Sequence, residues 1–278
     1  MNLPSFTARG PVIAAAGAAA AAALVLAGCG PSSSSATSGS GGGSGAAGGS
    51  TAASSSGSGS GSGSGASVVG GGSGGSTIFP VAVGNTWVYK TNLGSASGTG
   101  TSTNKMTAVT PTADGQRVTM LSQVKLPGST GPASSVAETL VFHPDGSISV
   151  PLTQAGGSVV TIKSGSVVWP SAAGLASGQS RASTLVMSVA EAGTKLTVKE
   201  HVVVRGDGTA SVTVPAGTYQ TTVIQEEETS KVDGIAVDLE IKTWVANGVG
   251  PVKSEVISTD AGRTTVTSEQ ELVSFHKG

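Results

Sequence analysis

Lys195-Leu196-Thr197-Val198-Lys199-Glu200-His201-Val202-Val203-Val204-Arg205 is the stretch on which the fold reading turns. Leu196, Val198, Val202 and Val204 share one parity, whereas Lys195, Thr197, Lys199, His201 and Arg205 share the other. Successive side chains of a strand point to opposite faces, so this alternation predicts a half-buried antiparallel strand. Working outward, the same period of two recurs in Val118, Met120 and Val124, in Val136, Leu140 and Phe142, and in Val237, Leu239, Ile241 and Val245. No helical stripe follows residue 78, although 171–180 could hold a short helical turn. Turn chemistry punctuates the runs at Ala113-Asp114-Gly115, Pro144-Asp145-Gly146, Gly206-Asp207-Gly208 and Asp233-Gly234, residues that tolerate positive φ. Long strands joined by tight turns predict an all-β domain, an antiparallel meander curled into a partly closed barrel or half-barrel, because closure protects sheet edges.

That domain occupies residues 78–278. Residues 30–77 carry no charge and no aromatic, and consist almost wholly of Gly, Ser, Ala and Thr. Such a stretch buries too little apolar surface to offset its entropy, so a disordered tether is expected, with an r.m.s. span of about 40 Å. Residues 1–28 read as a signal peptide: Arg9 supplies a thin positive start, an apolar run covers 11–27, and small residues precede Cys29. The run is short for a spanning helix, which needs about 20 apolar residues.

Leu26-Ala27-Gly28-Cys29 resembles the lipobox of bacterial lipoproteins, in which cleavage leaves a lipidated cysteine as the first residue. The resemblance implies membrane attachment through lipid on Cys29, in the outer membrane of a two-membrane cell, since Gly30 is not the aspartate that retains lipoproteins at the inner one. In a single-membrane cell it implies the outer face of the plasma membrane. Cys29 is the sole cysteine, so no intramolecular disulfide can form. Without Arg9 the count is 14 basic against 16 acidic residues, scattered rather than striped, which argues against nucleic acid as a partner.

Three further stretches carry a family resemblance. Phe79-Pro80-Val81-Ala82-Val83-Gly84-Asn85-Thr86-Trp87-Val88-Tyr89 is similar to an "FPLxxGNxWxY" opening. Val214-Pro215-Ala216-Gly217-Thr218-Tyr219 is similar to a "VPAGTF" turn, and Thr243-Trp244-Val245-Ala246-Asn247-Gly248-Val249-Gly250-Pro251-Val252-Lys253 to a "WxAxGVGxVK" hairpin. In this order, with a closing Glu271-Leu272-Val273, they resemble a group of uncharacterised bacterial lipoproteins. More remotely, such curved sheets resemble the LolA and LolB half-barrels, which implies a cradle for acyl chains. Val245 and Pro251 depart from the pattern.

No catalytic constellation stands out. His143, His201 and His276 lie far apart in sequence, and none has metal-ligand spacing to another ligand-type residue. Gly71-Gly72-Ser73-Gly74-Gly75 satisfies G-x-S-x-G, but low complexity on both sides lacks the strand and helix that the hydrolase elbow requires. Glu226-Glu227-Glu228 could offer carboxylates to a cation, yet in a strand at most Glu226 and Glu228 converge, so a solvated edge is the expectation. Arg205-Gly206-Asp207 spells an adhesion tripeptide inside what reads as a hairpin turn. Trp87, Tyr89, Trp169, Tyr219 and Trp244 are core anchors or the wall of a cavity for an apolar ligand. The expected protein is a tethered envelope lipoprotein without cofactor or metal. It binds a hydrophobic ligand without catalysing a reaction, or else is a structural or protein-interaction module of the envelope; the remaining alternative is a hydrolase, which would need a buried histidine beside a serine or a carboxylate.

Overall fold

The computed structural model describes residues 78–92, 98–125, 128–151, 160–191, 194–232, 235–260 and 263–278. Leu26, Ala27, Gly28, Cys29, the tether 29–77 and the Asp233-Gly234 turn lie outside them. Among the described residues no helix is long and apolar enough to cross a membrane.

The elements run β1 (Thr86–Asn92), β2 (Thr99–Thr112), β3 (Gly115–Lys125), β4 (Ser134–Phe142), β5 (Ile148–Pro151), β6 (Val160–Ser164) and β7 (Ser166–Trp169). There follow α1 (Ala172–Ala176), β8 (Ser180–Glu191), β9 (Thr194–Val214), β10 (Gly217–Val232), β11 (Ile235–Ala246), β12 (Gly250–Asp260) and β13 (Arg263–His276). All 13 strands form one sheet in the order β6-β8-β9-β10-β11-β12-β13-β1-β2-β3-β4-β5-β7. Every pairing is antiparallel, and the sheet curls until it nearly closes as a barrel. The order is cyclic: β13 returns to pair with β1, and the two free edges are β6 and β7. Only Gly165 separates these edge strands in sequence, so the chain steps across the seam there. With φ at 102° and the backbone oxygen of Thr184 where a Cβ would sit, no other residue fits that step without strain.

Alternation produces the core. Val118, Met120, Leu140, Val198, Val202, Val204, Ile241 and Leu272 point inward and are fully or nearly fully buried, while Lys199, His201 and Arg205 point outward. One region is sealed by aromatics: Trp87 stacks on Phe275 at 5.0 Å and meets Phe79 at 5.3 Å. Truncating a buried aromatic of this kind costs on the order of 3–5 kcal/mol.

Gly206-Asp207-Gly208 does not turn the chain. β9 runs through it, and between the pairs Thr222–Thr209 and Ile224–Gly206 one β10 residue faces two of β9, which makes a β-bulge. A Gly-Asp-Gly segment tolerates either local geometry, and long-range pairing with β10 selects the bulge. The turn of helix expected in 171–180 is α1, capped by the Ser171 hydroxyl accepting from the Gly174 amide.

Candidate functional site

β9 and β10 pair with Ser230 opposite Glu200, Glu228 opposite Val202 and Glu226 opposite Val204. Glu226 and Glu228 are two residues apart on one strand and share its inner face, and Glu200 lies diagonally beyond Glu228. All three are buried, whereas Glu227 between them is exposed. The solvated edge expected for this run is therefore corrected: β10 is an interior strand of the sheet, flanked by β9 and β11, so its inward carboxyls have no water to face. The expected convergence of Glu226 and Glu228 does follow from the alternation.

Burial in this interior disfavours charge. It pushes the Glu200 and Glu226 carboxyls up to about 7 and raises Glu228 well above the usual carboxylate range. Repulsion adds to the rise, because the Glu200 charge acts on both Glu226 and Glu228. The interaction of the two neighbouring carboxyls raises Glu228 further and works in the opposite direction on Glu200. The oxygens of Glu200 and Glu228 find no hydrogen-bond partner among the described residues. Glu226 does, since the Trp169 indole Nε1 donates to its Oε2 at 3.0 Å. On β4, Glu138 faces inward opposite Met120, also without a partner, and burial pushes it up to about 8. No group of three His, Cys, Asp or Glu among the described residues has the arrangement of a metal site.

A second polar feature crosses the inner wall. Thr243, Ser254, Gln270 and Thr91 stand opposite one another on β11, β12, β13 and β1, all buried, and Thr91 donates to Ser102 on β2 at 3.3 Å. The Ser254 and Ser268 hydroxyls lack partners. The interior thus combines Val, Leu and Met with hydroxyls, an amide and carboxyls.

The five aromatics singled out from the sequence do not line one wall. Trp87 and Tyr89 anchor the aromatic seal, where the Trp87 indole donates to the Val249 carbonyl at 2.6 Å and the Tyr89 hydroxyl to the Pro251 carbonyl at 3.0 Å. Trp169 stands by the seam. Tyr219 is half-buried and donates to the Ala216 carbonyl at 3.3 Å. Trp244 is on the outer face, with the Lys253 ammonium 5.4 Å from its ring; that lysine also pairs with Glu255 at 2.8 Å and Glu269 at 2.9 Å. Glu200 and Glu138 were missed as site residues. Their signal was present: each is a carboxylate on the apolar parity, between Val198 and Val202 or between Val136 and Leu140.

The three motif stretches meet at the seal. Trp87 and Tyr89 of the first bond the carbonyls of the third, the Ala216 amide of the second donates to the Leu272 carbonyl at 2.9 Å, and Asn85 ties the chain ends together. The Asn85 side chain donates to Pro80 at 3.0 Å and accepts from the Gly278 amide at 2.9 Å. A family model described as DUF3108-like matches residues 83–271, which takes in the second and third stretches and the first from Val83 onward. The chain belongs to the DUF3108-like family. No curated protein matches it. Two solved structures share the DUF3108-like chain's fold. A Bacteroides fragilis protein named only as an exported protein with a YmcC-like fold is 16% identical, with a TM-score of 0.53. A Parabacteroides distasonis protein named only as a lipoprotein is 15% identical, with a TM-score of 0.54. Each match covers 73% of this chain and 100% of the other. At these identities the likeness carries the fold alone.

Proposed function

We propose that this chain is an exported lipoprotein of the cell envelope, anchored through lipid on Cys29, whose barrel is a non-catalytic binding module for a lipid-like amphiphile. The anchor reading rests on Leu26-Ala27-Gly28-Cys29 after an apolar leader; one fold neighbour is named as a lipoprotein, and the other as an exported protein, which agrees with export alone. The observation that carries the ligand reading is the set of inward hydroxyls and carboxyls without partners, Ser254, Ser268, Glu138, Glu200 and Glu228, set among aliphatic side chains. A buried polar group left bare costs about 1–3 kcal/mol, so several on one inner face are poor investments for stability alone. A ligand with an apolar chain and a hydrogen-bonding head would satisfy both surfaces.

Two measurements test this. An alkyne fatty acid fed to a bacterial host should label the wild-type chain and not Cys29→Ser. Native mass spectrometry of the Cys29→Ser chain purified from that host should show a bound lipid-like mass; consistently empty protein overturns the ligand, and unlabelled wild type overturns the anchor. If the protein is empty yet crosslinks in intact cells to one envelope protein, an interaction module replaces the carrier.

One observation favours a second reading, acyl transfer. His143 Nε2 lies 2.8 Å from Ser149 Oγ, and its Nδ1 lies 3.1 Å from the Asp114 carbonyl oxygen. Nδ1–H donating to that carbonyl leaves Nε2 as acceptor for the serine proton, the arrangement of a base and its nucleophile. The Ser149 contact also closes the β4–β5 hairpin and the Asp114 contact ties it to the β2–β3 turn, which is the simpler account. A fluorophosphonate adduct on Ser149, lost in His143→Gln, would establish the second reading; its absence removes it.

A further inference from the structure

β7 is one of the two edge strands of the wall. Among the described residues it pairs only with β5, through Ser166 to Trp169, and no main-chain ladder joins it to β6 or β8. On the far side of the seam, β6 pairs only with β8. A side chain bridges this gap: Trp169, the last residue of β7, donates its indole N–H to Glu226 on β10, beyond β8 and β9. Glu228 and Glu200 lie behind Glu226 on the same inner face.

We infer that Trp169, Glu226, Glu228 and Glu200 form a proton-operated latch. It holds the β7–α1 segment across the seam while the carboxyls keep their protons, and it releases that segment when they ionise. The barrel so opened gives access to its interior, whatever that interior binds.

The surroundings leave the carboxyls no counter-charge. β8 presents Leu185 opposite Glu200, β11 presents Leu239 and Ile241 opposite Glu228 and Glu226, and β7 presents Val167 beside Trp169. None of these titrates, and α1, Ala-Ala-Gly-Leu-Ala, has no titratable side chain. Lys199, His201 and Arg205 point out of the barrel, and Arg181, opposite Val204, is exposed. The remaining titratable groups buried in the described interior are Glu138 on β4 and Tyr89 on β1. One negative charge is tolerated, because Glu226 accepts from Trp169. A second and third would repel the first across an apolar interior. They are relieved only by water, and letting β7 swing away at the seam costs no main-chain ladder except its four-residue pairing with β5. Opening there is the least costly response. The raised proton affinity of all three groups moves the transition up from the ordinary carboxylate range.

Hydrogen exchange with mass-spectrometric readout on the full chain, at about pH 5.5 and about pH 8.5 and corrected for intrinsic rates, tests the latch. Protection of residues 166–176 is expected to fall about tenfold or more at the higher pH, the factor that one unit of proton affinity represents, while β1, β2 and β13 stay protected. In Glu200→Gln/Glu228→Gln the segment should stay protected at both values, and in Trp169→Phe it should be open at both. Equal protection of the wild type at the two values overturns the latch, as does a loss spread evenly over the barrel. If the double variant does not fold, Glu228→Gln alone should at least halve the pH effect, and an unchanged effect overturns the latch equally.

Discussion

Glu138 occupies an inward position on β4 with only 6% of its surface exposed and neither oxygen bonded. Burial pushes its carboxyl from 4.5 up to about 8, so the folded chain retains a proton that the unfolded chain gives up. Between those values stability falls as pH rises. Below about 4.5 both states are protonated and the full stability is present; above about 8 both are ionised and the penalty is complete. Glu138→Gln keeps the shape without the charge. Urea unfolding should show little change from wild type at about pH 5 and a gain of up to a few kcal/mol at about pH 8.5. A wild type equally stable at both values, or a variant with no gain at the higher one, contradicts the buried-acid account. At this scale alternation alone told which parity faces inward. It did not tell that a glutamate would keep its place on the apolar parity, because the side chain's own polarity argues for the other face and the pairing of whole strands overrides it.

Among the elements, the entry to β1 depends on the Gly84-Asn85 turn. Gly84 has φ of 92°, its amide donates to the Met106 carbonyl at 2.8 Å, and a Cβ on it would sit 2.9 Å from the Cα of Gly278. Gly84→Ala should therefore cost about 1–3 kcal/mol, from the unfavourable dihedral together with displacement of the carboxyl-terminal residue that Asn85 holds. A thermal melt measures this; an unchanged midpoint would mean that the chain end moves aside freely. The Asp114-Gly115 and Asp145-Gly146 turns and the helical turn within 171–180 were legible as local devices, since their chemistry lies in consecutive residues. Gly206-Asp207-Gly208 was not. Locally it has every property of a hairpin turn, and only the register of β10 against β9, two elements of 16 and 21 residues, makes it a bulge. The Glu226-Glu227-Glu228 run failed as an edge for the same reason: whether a strand is central or peripheral belongs to its neighbours.

For the whole molecule, closure joins β1 to β13 through pairs such as Trp87 with Phe275, which brings the two ends of the domain together and moves the seam to β6 and β7 in mid-chain. A meander was predictable, but the position of its seam was not, because a sheet can close at any pair of edges that the loops allow. The signature stretches look like separate motifs along the chain, and in space they are one aromatic seal, with Trp87 bonded to Val249 and Gly250 packed against Phe79. By itself the sequence determined the strand class, the parity of the strands whose alternation is clear, and turns such as Asp114-Gly115 and Asp145-Gly146, all of which depend on residues a few positions apart. Tertiary structure alone decided that the aromatics divide among a seal, a seam and the outer face, and that Glu200, Glu226 and Glu228 share one buried inner face. Those outcomes depend on register and closure, set by apolar burial summed over the whole barrel rather than by the preference of any one residue.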